Sequence, residues 1–376
     1  MRAPPKADAL PARALPVHGG DRDAAAARYG VEPSTLLDLS ANINPLGPPA
    51  PLVAALAEAA RDTAALQRYP EPTYHELRAR IAAGLRVDPA SIVVGNGAAA
   101  LLEATLAEPR ATRCAFPVPA FSEYSRALAA LRIEAVPVPL DTASDFALNA
   151  DAFVEAVRRS GAEVALLNNP HNPSGALAER ARILELADAL GAEGCRTIVD
   201  EAFIDYVPHE SIAREAARSE TLTCVRSLTK FFAVPALRVG YAVCSPGRAA
   251  TLRAQLPSWP VTTLAALAVA AAIDDGDFAR RSRSRNAIER TWLDERLRGL
   301  GVRVPRSAAN FVLVELPEPL HSAPVTARLA REHGVLVRDC TSYAGLAGEW
   351  IRIAIRTRAE SERVVAALGS ILRADR

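Results

Sequence analysis

Short apolar runs rich in Val, Ile and Leu recur along the first 275 residues, most of them separated by stretches long enough to hold a helix. Neighbouring parallel strands need a crossover of about a dozen residues or more, whereas an antiparallel hairpin closes with a few. Candidate strands lie at 92–94, 113–116, 133–138, 163–167, 197–199, 222–225 and 239–244. Helical spacing fills several intervals, at 98–106, 151–159 and 177–190. The alternation predicts an α/β fold whose mainly parallel sheet has helices on both faces. From about residue 275 the pattern changes. A long charged helix at 278–300 leads into candidate strands at 311–316, 334–337 and 351–355. That stretch reads as a smaller α+β unit. The expected division is an N-terminal arm and part of the small domain (1–45), a large domain (46–275) and a C-terminal small domain (276–376).

A chain of 376 residues suits about two domains at roughly 150 residues each, and can bury a core without disulfides or a structural metal. Lys and Arg number 44 against 43 Asp and Glu. That near-cancellation excludes the strongly basic balance of a bulk nucleic-acid binder. The five cysteines form no CxxC pair, which fits free thiols in a reducing, cytoplasmic compartment and neither a disulfide framework nor a zinc site. The opening twenty residues lack a continuous apolar stretch, so no signal peptide is expected. The most apolar run, 264–273, is too short to span a bilayer and reads as a buried helix.

Four polar stations fall at the ends of the large domain's candidate strands, where open α/β sheets place ligands. Gly95-Asn96-Gly97 lies between a Val-rich strand and a helix start, a place where backbone N–H groups can meet an anion or simply turn the chain. Asn169-Pro170-His171-Asn172-Pro173-Ser174-Gly175 is a constrained loop, with Asn172 held between prolines. Asp200 follows an apolar strand, and an acid there needs a cation or a helix to cap. Finally, Arg226-Ser227-Leu228-Thr229-Lys230 precedes Phe231-Phe232-Ala233-Val234 and Arg238. A lysine in apolar surroundings has a lowered pKa, which imine chemistry requires.

Asn172, Asp200 and Ser227-x-x-Lys230, with Arg238 eight residues on, resemble the signature of fold-type I pyridoxal-phosphate enzymes of the class I/II aminotransferase family. The resemblance covers nearly the whole chain and implies a seven-stranded sheet in the large domain. It implies that Lys230 holds pyridoxal 5'-phosphate covalently and that Asp200 pairs with the protonated pyridine nitrogen. Asn172 would donate to the ring's phenolate oxygen. Ser227, Arg238 and the backbone at Gly97 and Ala98 would hold the phosphate. Phe121 matches the aromatic that stacks on the ring. Tyr69 matches a tyrosine that reaches the partner subunit's cofactor, so a homodimer with shared sites is implied.

Two further stretches narrow the resemblance. His18-Gly19-Gly20 and the run Leu37 to Gly47, together with Arg338-Asp339-Cys340-Thr341-Ser342-Tyr343, look most similar to the threonine-phosphate decarboxylases of cobalamin biosynthesis. Histidinol-phosphate aminotransferases come second. Either activity implies a small phosphorylated amine substrate. Substrate and cofactor together bring about five negative charges, which the near-neutral chain must meet locally. Arg338, Arg352 and Arg356 are the candidate cations, the last two four apart on a predicted strand and so on one face. His18 and Asn42 are candidate phosphate contacts. Phe203, three residues after Asp200, stands where the aminotransferases usually carry Tyr, and the decarboxylases also carry Phe there. Pro260 and Thr262 stand where those decarboxylases have Ser and Asn.

Overall fold

The computed structural model describes residues 19–108 and 111–374. His18, one of the candidate phosphate contacts, lies outside the described residues. Twelve strands occur among them: β1 (Leu37–Asp38), β2 (Ile92–Asn96), β3 (Arg113–Val118), β4 (Glu134–Pro139), β5 (Val164–Asn168), β6 (Arg196–Asp200), β7 (Leu222–Ser227), β8 (Val239–Val243), β9 (Phe311–Glu315), β10 (Val335–Leu336), β11 (Arg338–Asp339) and β12 (Trp350–Ala354).

Seven of them form one sheet in the order β2-β8-β7-β6-β5-β3-β4. The five strands from β7 to β4 pair in parallel, and β8 runs antiparallel to both its neighbours. The central strands are buried on both faces, so their sequences read as unbroken apolar runs. Side chains alternate between two separate cores. Ala165, Leu167 and Val199 enter one, and Val164, Leu166 and Ile198 the other.

The reversed direction of β8 brings its first residue to the same edge as the last residues of β2, β5, β6 and β7. Asn96, Asn168, Asp200, Ser227 and Val239 therefore line one edge, with Arg238 just before β8. Two glycines let the elements close there. A Cβ on Gly240 would lie 2.7 Å from the Ala98 nitrogen, and a Cβ on Gly97 would lie 2.8 Å from Arg238 Nη2. Gly97 also has φ +73°, where side chains are strained.

A second sheet, β11-β12-β9, is antiparallel and builds its own core with the helices Gly276–Arg298, Ser322–His333 and Arg358–Ala374. The N-terminal segment joins this unit: β1 pairs with β10, and Leu39 enters its core.

Three expectations change. The strand read at 334–337 is only the two residues of β10 beside β1, and a separate strand that was not read, β11, follows at once beside β12 in the other sheet. The apolar run 264–273 is a helix over Thr263–Ala270 with only one side buried. It packs on the helix Ala50–Arg61, and Leu267 on its other side is 41% exposed. Arg356 lies beyond the end of β12, so it does not share a strand face with Arg352. It pairs instead with Glu360 at 3.0 Å.

Candidate active site

A cleft of about 420 Å³ opens at the strand edge just described. Ala98, Phe121, Asn172, Asp200, Ser227, Lys230, Arg238, Asn42, Arg338 and Arg352 all line it. Gly97 does not, and neither does Tyr69, which was expected to reach the partner subunit's cofactor and not its own. Gly97 sits just behind, under the Arg238 guanidinium. Tyr69 is 77% exposed and stacks on Trp259 at 4.2 Å, away from the cleft of its own chain.

One end of the cleft is a cradle for an anion. The helix Gly97–Ala107 starts there, and its cap residue Asn96 makes no side-chain capping bond. First-turn N–H groups are thus left for a ligand, at the positive end of the helix dipole. Arg238 faces them, and the hydroxyls of Ser227 and Thr229 meet each other at 2.8 Å on the adjoining loop.

The middle of the cleft holds a wall of polar groups fixed from behind. The Asn168 side chain, at the end of β5, accepts from the Asn172 N–H at 2.7 Å and donates to the Asp200 carbonyl at 2.8 Å. One amide thereby ties both loops together. Asn172 Oδ1 accepts from Arg352 Nη1 at 2.5 Å, and Tyr343 Oη stands 3.4 Å away. Arginine carries donors only, so the atom it meets is the oxygen, and the Asn172 Nδ2 is left to donate elsewhere. Asp200 Oδ1 accepts from the Ala202 N–H at 3.0 Å and Oδ2 from Tyr124 Oη at 2.7 Å. Burial raises the Asp200 carboxyl to about 6 despite these two donors.

Lys230 is partly buried, with its side chain on the cleft wall. Its amine is pushed down to about 8, first by desolvation and then by the positive charges of Arg352 and Arg238. Phe231 and Phe232 pack into the large core. Lys230 is the only lysine among the described residues, and the chain has one other, Lys6.

The far end carries two guanidinium groups. Arg338 and Arg352 are direct partners across the antiparallel pair β11–β12, and each is 6% exposed. Like charges facing each other across a sheet repel, and an anion between or beside them removes the repulsion. Among the described residues, the groups accepting from Arg352 are all neutral: Asn172, the Tyr343 hydroxyl at 3.0 Å and the Ser40 carbonyl at 3.2 Å. Arg338 donates to Ser342 Oγ at 2.8 Å. Among the described residues, the buried Asn42 Oδ1 has no partner.

These residues fit the cofactor named above. The cradle at the helix start can hold its phosphate, Asp200 and Asn172 its ring nitrogen and ring oxygen, and Lys230 its aldehyde. Phe203 also lines the cleft and packs edge to face on Phe311, ring centroids 5.0 Å apart. Thr262 caps the helix Thr263–Ala270, and neither it nor Pro260 lines the cleft.

Four participants were given no role in the sequence reading. Thr229 carried a signal, a second hydroxyl two residues after Ser227. So did Asn168, a polar residue ending an apolar strand as Asp200 does. Tyr124 follows Phe121 by one helical turn and reads equally as core. Tyr343 meets Asn172 only through the fold.

The family model described as aminotransferase class I and II matches residues 34–368. Threonine-phosphate decarboxylase of Salmonella typhimurium is 34% identical over 367 residues, covering 94% of this chain and 96% of that protein. Histidinol-phosphate aminotransferase of Sphingopyxis alaskensis is 36% identical over 355 residues, covering 92% of each. The chain also spans 41% of the longer adenosylcobalamin biosynthesis bifunctional protein of Leptospira interrogans, at 30% identity over 360 residues and 95% of this chain. Among solved structures, histidinol-phosphate aminotransferase from Clostridium acetobutylicum superposes with a TM-score of 0.82 at 26% identity, covering 90% of this chain and 100% of that one. The fold is thus the fold-type I α/β architecture of aminotransferases, and the chain belongs to the aminotransferase class I and II family.

Proposed function

We propose that the protein is a pyridoxal-phosphate-dependent decarboxylase of a phosphorylated amino acid, L-threonine O-3-phosphate, yielding (R)-1-amino-2-propanol O-2-phosphate for cobalamin biosynthesis. The observation that carries this is the pair of opposed arginines at the far end of the cleft. It gives a second anion site beyond the cradle for the cofactor's own phosphate. The relative named threonine-phosphate decarboxylase, matched along nearly its full length, supports the substrate, and Phe203 in place of a tyrosine supports the reaction.

When bound, the cofactor supplies an aldehyde for the substrate amine and a conjugated ring that takes up the electron pair of the cleaved bond. The chain's residues do the rest. Asp200 would keep the ring nitrogen protonated, Asn172 Nδ2 would donate to the ring oxygen, and Phe121 would cover the ring. Arg352, tied to Asn172, binds an anion close to the ring. Arg338, nearer Ser342, would bind a second one farther out, with Asn42 beside it on the cleft wall. For decarboxylation the arginines would anchor the substrate through its phosphate and leave its carboxylate free to depart. Lys230, on the cleft wall, would return a proton to the substrate Cα.

The second reading, amino transfer to 2-oxoglutarate, is favoured by the comparable identity of the histidinol-phosphate aminotransferase. Measuring both reactions with L-threonine phosphate separates the two. Release of CO2 is expected, with transfer slower by about two orders of magnitude, the effect of misplacing a reacting group by an ångström. Transfer without CO2 rejects the decarboxylase.

Loading of the cofactor carries a pH signature. Only the neutral Lys230 amine attacks an aldehyde. With its proton lost near 8, attachment to cofactor-free protein is expected to rise about tenfold per pH unit up to that value and then level off. A lysine titrating near 10.4 gives a rise that continues two units further, and stopped-flow absorbance distinguishes them. The stability sign follows: between about 8 and 10.5 the unfolded chain binds more protons at this site than the folded one, so the folded state gains stability as pH rises through that window.

The working form is a homodimer. Tyr69 and Trp259 form an exposed aromatic stack, and Leu46, Val53, Leu66 and Leu267 are exposed as well. An exposed apolar surface of this kind marks an interaction site. Tyr69→Asp is expected to shift sedimentation toward the monomer and to weaken cofactor retention about tenfold, one charge-assisted contact being worth about that much. An unchanged dimer with full retention contradicts it. All five cysteines are buried and unpaired, which suits a cytoplasmic setting.

A further inference from the structure

The acid in the middle of the cleft does not stand alone. We propose that Tyr124 is a positioning residue that holds the Asp200 carboxylate in one orientation and in its anionic form, and thereby sets the protonation of the ring nitrogen facing it. The inference rests on the cofactor reading above.

Three observations carry it. Tyr124 is 2% exposed, and its hydroxyl donates to Asp200 Oδ2 at 2.7 Å; against a carboxylate a phenol can only donate. The Ala202 N–H occupies Oδ1 at 3.0 Å, so the carboxyl group is gripped from both oxygens and cannot rotate without losing one donor. Moreover, Tyr124 lies in the first turn of the helix Ser122–Leu131, whose cap residue is Phe121. The two rings meet edge to face with centroids 5.9 Å apart. One helical turn thus carries both the aromatic on the cleft wall and the donor behind the acid.

The other groups around Asp200 make this donor consequential. Glu201 adds negative charge from the next position, and burial raises the carboxyl. Cys224 on β7 is a thiol that the same negative charge and its own burial keep protonated. The Tyr124 phenol is itself held protonated by burial, by Asp200 and by Tyr343. Tyr124 is therefore the side-chain donor that favours the anion from behind. Without it the carboxyl binds the shared proton more tightly, and the ring nitrogen loses it.

Tyr124→Phe removes the hydroxyl and keeps the ring. The test loads wild type and variant with cofactor labelled with 15N at the ring nitrogen and records the resonance at pH 8, together with the cofactor dissociation constant. Wild type is expected at the pyridinium position. The variant is expected to move toward neutral pyridine, with affinity weakened roughly ten- to hundredfold, the range for a hydrogen bond to a charged group. In an Asp200→Asn background, Tyr124→Phe is expected to change affinity by less than about threefold, since the coupled partner is gone. A variant that keeps the pyridinium resonance while only its melting temperature falls overturns the proposal. So does an equal loss of affinity in the Asp200→Asn background. A wild type that binds no cofactor removes both this proposal and the reading it rests on.

Discussion

Replacing Lys230 by Ala is expected to lower turnover by about three orders of magnitude or more while leaving the chain folded. Acid–base work by one positioned group is worth roughly 10²–10⁴-fold, and the covalent tether goes with it. The fold is not expected to suffer, because the native environment opposes the charge this side chain carries in water. Desolvation and the charges of Arg352 and Arg238 depress its amine to about 8. At neutral pH the folded protein is therefore destabilised by holding that proton, and the truncation relieves the penalty. Steady-state kinetics and thermal melting of the cofactor-free protein check both halves. Turnover within tenfold of wild type contradicts the assignment of Lys230, and a fall in melting temperature of more than about 8 °C contradicts the electrostatic account.

The largest expected stability effect lies one residue away from the cleft. Arg226→Ala is expected to cost about 3–5 kcal/mol, because it leaves buried carboxylates without their cation. Arg226 is 4% exposed, its Nη2 meets Asp205 Oδ1 at 2.5 Å, and its Nε stands 3.8 Å from Glu201. Its guanidinium also lies over the Tyr241 ring at 5.6 Å. Glu201, 1% exposed, is held by Ser211 Oγ and the Ile212 N–H as well, which fixes it where truncation strands it. Urea denaturation measures the loss. As a comparison, Arg158→Ala on the exposed face of the helix Ala150–Ser160 removes two ion pairs and is expected to cost less than about 1 kcal/mol. Equal losses at the two positions contradict the account of Arg226.

The strands of the large sheet were legible because burial on both faces leaves a continuous apolar signal that needs no partner to be seen. Each observed strand overlaps a run read from the sequence, most extending one or two residues further. Polar ends such as Asn168 and Asp200 were lost from those runs because the apolar pattern stops before the hydrogen-bonded ladder does. The opposed placement of Arg338 and Arg352 was invisible for a different reason. Register between β11 and β12 is a property of pairing, and two residues of each strand do not encode it locally. Arg356 shows the converse, where spacing alone suggested a shared face that the end of β12 removes. The residues legible as a site were those whose chemistry is unusual for their position: an acid, an amide or a lysine where an apolar side chain is expected. Tyr124 and Thr229 sit where their types are ordinary, and only the packed structure distinguishes them.

The scarcity of lysine has an experimental corollary. With 42 arginines and two lysines, the chain offers aldehydes and acylating reagents almost no side-chain amines outside the cleft. Stoichiometry can therefore be counted on the undigested polypeptide by mass spectrometry, with Lys6 and the terminal amine as the background to subtract.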